Sequence, residues 1–282
     1  MLFDFKKIYY FLWLIRITII IPIFFVGLCS SIICKNNSFD LNYIFLLLIP
    51  TLLAASGFIL NDILDIQKDR INNPRKPLPS NSLSFRTAYT YFFTLLAISI
   101  ILTFEITTGT IRYLLLFSII LTLSYSSLNR INGALGNFIT SLLSTLPWII
   151  PALYLNKMSL IVIPSISCFF LIFSREILLD VKDLRGDKKQ NFNTIPIMFS
   201  IKTALLISFT LLLILNVILI GNGIAKNFGF LYFTLITMSF IIPTIIFLNL
   251  IMKKKVMFYL EGICHVGKIQ FLIGIFAFLL TK

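Results

Sequence analysis

Apolar runs long enough to cross a bilayer recur along the whole chain, and nothing constrains its fold more. A helix rises about 1.5 Å per residue, so about 20 apolar residues span the hydrocarbon core. Nine such stretches can be marked, over 10–34, 41–60, 86–104, 111–128, 134–155, 159–177, 199–222, 227–250 and 262–281. Hydrophobic residues make up 58% of the 282 and charged residues 12%, with a mean hydropathy of +0.97. A soluble domain carries about twice that charged fraction. Lipid offers the backbone no hydrogen-bond partners, so spans of this length must be helical. The chain is predicted to be an all-α integral membrane protein of about nine transmembrane helices, a single polytopic domain over residues 1–282. The run from Tyr10 to Ile33 is longer than the apolar part of a signal peptide and lacks a clear small-residue cleavage site, so it reads as the first span.

Charge then orients the spans. The net charge of +13 would suggest nucleic acid in a soluble protein. In a membrane protein it is expected from basic cytoplasmic loops, and no nucleic-acid partner is expected. With the N-terminus cytoplasmic, the inner loops are 1–9, 61–85, 129–133, 178–198 and 251–261. At or near these loops stand 17 of the 24 Lys and Arg residues, and five stand on the outer side. Arg16 and Lys268 fall inside spans, where a charge is costly and either snorkels to an interface or faces a cavity. The predicted topology is N-in and C-out, with the two longest internal loops in the cytoplasm. Cys29, Cys34, Cys168 and Cys264 show no metal-ligand or disulfide spacing, and the only histidine, His265, is read as an ordinary helix residue.

Seven of the 11 acidic residues crowd into two short stretches beside the second and sixth spans. One runs Asn61-Asp62-Ile63-Leu64-Asp65-Ile66-Gln67-Lys68-Asp69-Arg70. The other begins at Arg175-Glu176 and carries Asp180, Asp183 and Asp187. In both, the aspartates recur at i, i+3 and i+7, which is one face of a helix. Two such faces at the same ends of their spans can meet and present up to six carboxylates. Hard dications take oxygen ligands and keep phosphate oxygens in their shell, so the pair suits a metal-bridged diphosphate. Interspersed cations (Lys68, Arg70, Arg75, Lys76, Lys182, Arg185, Lys188, Lys189) can complete the charge balance on phosphate. A lone Asp/Lys loop would be read as solvated charge; a matched pair in a chain almost without acid elsewhere is not.

At these residues the chain resembles the UbiA superfamily of intramembrane prenyltransferases. That family's first motif, N-D-x-x-D-x-x-x-D, is matched by Asn61, Asp62, Asp65 and Asp69, with a similar continuation from Arg70 to Ser80, so that motif 1 covers 61–80. Its second, D-x-x-D-x-x-x-D, is matched by Asp180, Asp183 and Asp187, with Arg175-Glu176 before and Thr194-Ile195-Pro196 after, so that motif 2 covers 175–196. Tyr125-Ser126, Arg130 and Gly136-Asn137 resemble a further family stretch. The chain departs from the pattern at Arg16-Ile17-Thr18-Ile19, where Arg-Pro-x-Asn is frequent, and at Leu179, Asn81 and Lys76.

The resemblance implies a helical bundle around a central cavity with cytoplasmic loops carrying the motifs. It implies Mg2+-dependent transfer of a polyprenyl group from its diphosphate to a lipophilic acceptor within the bilayer. Asp62, Asp65, Asp69, Asp180, Asp183 and Asp187 would hold Mg2+. Asn61, Arg70, Lys76, Lys182 and Arg185 would bind metal or phosphate, and Tyr125 would face the allylic cation. Arg16 is the remaining substrate-binding candidate. The lead-in to motif 2 looks most like the branch acting on isoprenoid glycerol phosphate or on porphyrin-like and aromatic acceptors. Two other readings stay open at this stage: a prenyl-diphosphate cyclase on the same fold, and a divalent-cation or lipid-phosphate transporter. A transporter would place its ionisable groups near the bilayer midplane, whereas these cluster at span ends. Acceptor, chain length and oligomeric state are not encoded in any motif recognised here.

Overall fold

The computed structural model describes residues 5–35 and 39–280. Expectations touching residues 1–4, 36–38, 281 and 282, including the start of the predicted inner loop 1–9 and the end of the last span, lie outside them. The described residues contain helices and turns but no strand. In chain order the helices are α1 (Phe5–Leu14), α2 (Ile17–Ile33), α3 (Leu41–Leu64), α4 (Ile66–Asn72), α5 (Phe85–Ile106), α6 (Gly109–Ile131), α7 (Gly133–Leu143) and α8 (Leu146–Tyr154). They continue with α9 (Val162–Lys189), α10 (Ile195–Met198), α11 (Ile201–Ala225), α12 (Phe230–Ile236), α13 (Ile242–Met252) and α14 (Val256–Leu279). Eight uninterrupted or nearly straight stretches are long and apolar enough to cross a membrane, and α1 with α2 would make a ninth.

Local chemistry explains where helices start. Asp40, Ser84, Asn132 and Ser200 each sit at an N-cap and accept from the backbone N–H three residues on, at Tyr43, Thr87, Leu135 and Thr203. Each cap satisfies a donor that the first helical turn leaves unpaired. Pro243 has no N–H to donate back to Ser239. The chain absorbs that loss in a π-helical turn over Thr237–Ile241, between α12 and α13.

Three expectations are corrected. The first span is not one helix over 10–34: α1 and α2 meet at 61°, with Arg16 between them in the left-handed region at φ 54. That conformation is costly for a residue with a Cβ, and here it aims the Arg16 guanidinium at the acidic motif. Motif 1 is not one continuous helix, because α3 ends at Leu64 and α4 begins at Ile66, with Asp65 at the joint. Motif 2 is not in a loop over 178–198. Helix α9 runs unbroken to Lys189, because Ile177, Leu178 and Val181 are buried between the charged positions and keep its last turns packed.

The apolar core falls into three clusters. The largest joins α2, α8, α9, α11, α12, α13 and α14, and smaller ones join α1–α3–α5 and α2–α3–α6–α8. Between α9 and α11, Ser174 and Ser208 hydroxyls lie 2.8 Å apart. Small residues let two helices approach closely where lipid supplies no hydrophobic drive. This packing brings the ends of α3, α4 and α9 to one end of the bundle.

Candidate active site

Motif 1 is built on a joint that lets its carboxylates turn inward. Asp62, on the last turn of α3, is 3% exposed. Its Oδ1 accepts from Arg16 Nη2 at 3.0 Å and from Lys76 Nζ at 2.9 Å. The same Lys76 ammonium donates to Asp69 Oδ2 at 2.8 Å, and Asn73 Nδ2 donates to Asp69 Oδ1 at 3.2 Å. Lys76 therefore ties the two ends of motif 1 together. Charge-assisted bonds of this kind are about twice as strong as neutral ones. The Arg16 guanidinium also lies 4.7 Å from the centre of the Phe58 ring.

Motif 2 meets it across a short gap. Lys68 Nζ on α4 stands 2.9 Å from Asp187 Oδ1 as an ion pair, and Asp187 is fully buried. The acidic groups around Lys68, led by Asp187, raise its pKa against the opposing effect of its own burial. Asp180 accepts from Asn137 Nδ2 of α7 at 2.7 Å. Asn72 closes the junction: its Nδ2 donates to Asp183 O at 2.9 Å and its Oδ1 accepts from Gly186 N at 3.0 Å. A Cβ at Gly186 would run into the Asn72 amide and push it off these two bonds, so glycine keeps the junction closed. Burial pushes the Asp65 carboxyl up to about 6, helped by Asp69 and Asp187 and opposed by Lys68 and Lys76.

The residues proposed from sequence are thus not all equivalent. Asp62, Asp69, Lys76 and Arg16 form one hydrogen-bonded group; Asp187 joins Lys68, and Asp183 and Asp180 lie on the facing stretch of α9. Asn61 accepts from Ser126 of α6 at 3.3 Å, and Tyr125 lies within electrostatic reach of Glu176 and Asp180. Arg70 and Arg185 are exposed and make no ion pair or side-chain hydrogen bond among the described residues. Lys182 turns outward to Glu261 of α14 at 3.6 Å, because its position on α9 faces away from the carboxylates. Lys68, Asn72, Asn137 and Gly186 were absent from the predicted binding set. In sequence Lys68 is marked only as one of the interspersed cations and Asn137 only as part of the Gly136-Asn137 stretch, while Asn72 and Gly186 simply lie within the motifs.

The donor set fits a hard dication in kind. All of its side chains offer oxygen, and on buried Asp187 the Lys68 ammonium meets Oδ1 while Oδ2 has no partner among the described residues. No three acidic, His or Cys side chains among the described residues already converge as a ligand cluster. Lys68 and Lys76 occupy the positions between them, so ligation would require these ammonium groups to give way.

A model of the UbiA prenyltransferase family matches residues 19–259. The chain belongs to that family. A digeranylgeranylglyceryl phosphate synthase of Methanococcus aeolicus is 35% identical over 195 residues, covering 68% of this chain and 69% of that one. The corresponding protein of Sulfolobus acidocaldarius is 31% identical over 186 residues, and the match spans about two thirds of each chain, 65% of this one and 66% of that one. The Methanocaldococcus jannaschii protein of the same name matches almost end to end, at 28% identity over 95% of this chain and 97% of its own. A solved digeranylgeranylglyceryl phosphate synthase superposes with a TM-score of 0.74 at 25% identity, covering 97% of this chain and 98% of its own. A UbiA homologue from Archaeoglobus fulgidus, solved with DMAPP and Mg2+, shares the fold at a TM-score of 0.67 and 18% identity over 95% of this chain and 98% of its own. The expected fold, an all-α membrane prenyltransferase bundle, is the one observed.

Proposed function

We propose that this chain transfers a prenyl group from a prenyl diphosphate to the hydroxyl of an isoprenoid glycerol phosphate, releasing diphosphate. The observation that carries this reading is the pairing of two buried carboxylate faces, from α3–α4 and α9, locked by Asn72. Its relatives named for digeranylgeranylglyceryl phosphate support the acceptor class. We place the site at the cytoplasmic face, on the strength of the basic loops around it.

Mg2+ held by Asp62, Asp65, Asp69, Asp180, Asp183 and Asp187 would neutralise charge on the departing diphosphate. The chain's own cations act in the same sense. Lys76 and Lys68, now paired with carboxylates, are within reach of any phosphate oxygen bound between the motifs. Arg16 fixes Asp62 from the opposite side. Tyr125 offers the negative face of its ring to the allylic cation that ionisation leaves. The acceptor oxygen captures the cation, and its hydroxyl proton passes to the released diphosphate.

Reconstituted protein given a labelled prenyl diphosphate, Mg2+ and an isoprenoid glycerol phosphate should yield the ether product, and Asp62→Asn or Asp180→Asn should lower turnover at least a hundredfold. Full turnover in both variants, or no product with this acceptor class, would overturn the proposal.

A further inference from the structure

On the far side of α9 from the carboxylates lies a cavity of about 460 Å3, within the range that holds small ligands. It is walled by α9, α11, α13 and α14. On α9 its lining residues Leu171, Ser174, Arg175 and Leu178 recur at i, i+3, i+4 and i+7. At 100° per residue, that face is turned roughly 150° from the one bearing Asp180, Asp183 and Asp187. Its rim includes Ile246, Tyr259 and Val266, all exposed on the surface that would face lipid.

Two polar groups are out of place in this apolar chamber. Gln270 lines it, is 6% exposed, and its amide makes no hydrogen bond with any described residue. An amide set among apolar side chains without a partner leaves its donors and acceptor for a ligand in the chamber. Arg175 also lines it, with a buried Nε that lacks an acceptor. Arg175 Nη1 reaches around the helix to Glu176 Oε1 at 2.9 Å, and Glu176 lies in the electrostatic field of Arg16, Tyr125 and Asp180. Arg175 thus stands at the seam between the chamber and the carboxylate site. Gly267 of α14 packs beside the Arg175 stem, whose Cδ lies 3.6 Å from where a Cβ would stand.

We propose that this chamber holds the isoprenoid chain of the acceptor lipid, entered sideways from the bilayer. Gln270 then donates to the ether oxygen that joins chain to glycerol, and Arg175 binds the phosphate. The hydroxyl is presented through the seam to the prenyl diphosphate on the other side of α9. This deepens the proposed function and rests on it. The chemistry recognised is a long hydrocarbon, an ether oxygen and an anionic head, in that order.

Gly262 lines the chamber with nothing within 4 Å of its would-be Cβ, so Gly262→Trp fills the space without a clash at the first atom. In zwitterionic phospholipid vesicles, Gly262→Trp should raise the KM for the isoprenoid glycerol phosphate at least tenfold. The KM for prenyl diphosphate should stay unchanged, as should the slow diphosphate release seen without acceptor. Gln270→Leu should raise the same KM by a smaller factor. A diazirine-bearing isoprenyl glycerol phosphate should label 259–270 of the wild-type chain, and excess prenyl diphosphate should not compete. Competition by prenyl diphosphate would overturn the assignment, as would equal labelling by a diacyl phosphate lipid or labelling confined to the carboxylate side. Unchanged acceptor KM in a folded Gly262→Trp protein that still turns over would sink this inference alone. Absence of turnover by wild type would instead sink the proposed function. If Gly262→Trp fails to fold, Gln270→Leu and the wild-type labelling decide.

Discussion

Single side chains at the motif junction hold more than their own position. Asn72 binds Asp183 O and Gly186 N at once, so it sets the distance between the two acidic faces. Gly186→Ala forces a methyl group against that amide and should cost about 1–3 kcal/mol, the range for breaking buried hydrogen bonds. Thermal unfolding in detergent should show the loss, with Asn72→Ala lowering stability by a similar amount. Asp65 makes a second test at this scale. Its carboxyl titrates near 6 because burial disfavours the charge, whereas an unfolded aspartate titrates at 3.8. The folded chain therefore holds this proton between those values while the unfolded chain has lost it. The stability contribution is full below the unfolded value and is lost as pH rises through about 6. Asp65→Asn should flatten that slope in unfolding measured from pH 4 to 7. Ligation needs the ionised form, so the Mg2+ concentration for half-maximal activity should rise as pH falls from 7 to 5.

Helices decide what the motifs can do. Reading residues 178–198 as a loop predicts tolerance of a proline there; the continuous α9 predicts the opposite. Leu184→Pro removes the helical hydrogen bond that the N–H of residue 184 donates to Asp180 O and should cost about 3 kcal/mol locally. Membrane insertion should persist and prenyl transfer should fall at least a hundredfold. Wild-type activity in this variant would mean that the last turns of α9 are dispensable. The joint at Asp65 and the break at Arg16 work in the other direction: each interrupts a helix so that a charged side chain can turn toward the site. Periodicity alone favours continuous helices through both, because neither place carries a Gly or Pro.

At the scale of the whole molecule, the two motif regions share one end of the bundle, as the count of basic loops requires. Cysteines placed singly at Arg70, Arg185 and Lys254 should react with an impermeant maleimide only from the cytoplasmic side. Cysteines at Lys157 and Lys226 should react only from the other. Labelling of 70 and 185 from opposite sides would refute the fold together with the topology.

Span number, helix class and the acidic motifs could be read along the chain, because bilayer thickness and the helical period act on consecutive residues. The nine stretches, the six aspartates and the presence of Lys76 beside them all follow from such local order. The partners of those aspartates did not. Lys76 bridges Asp62 and Asp69, Lys68 meets Asp187 across 119 positions, and Asn137 reaches Asp180 from another helix. Of the further cations offered for phosphate, Lys182 turns to Glu261 and Arg185 is exposed. Which cation faces which carboxylate depends on helix rotation and on two breaks in the helices. Those are set by packing between distant segments, so only the tertiary structure decides them.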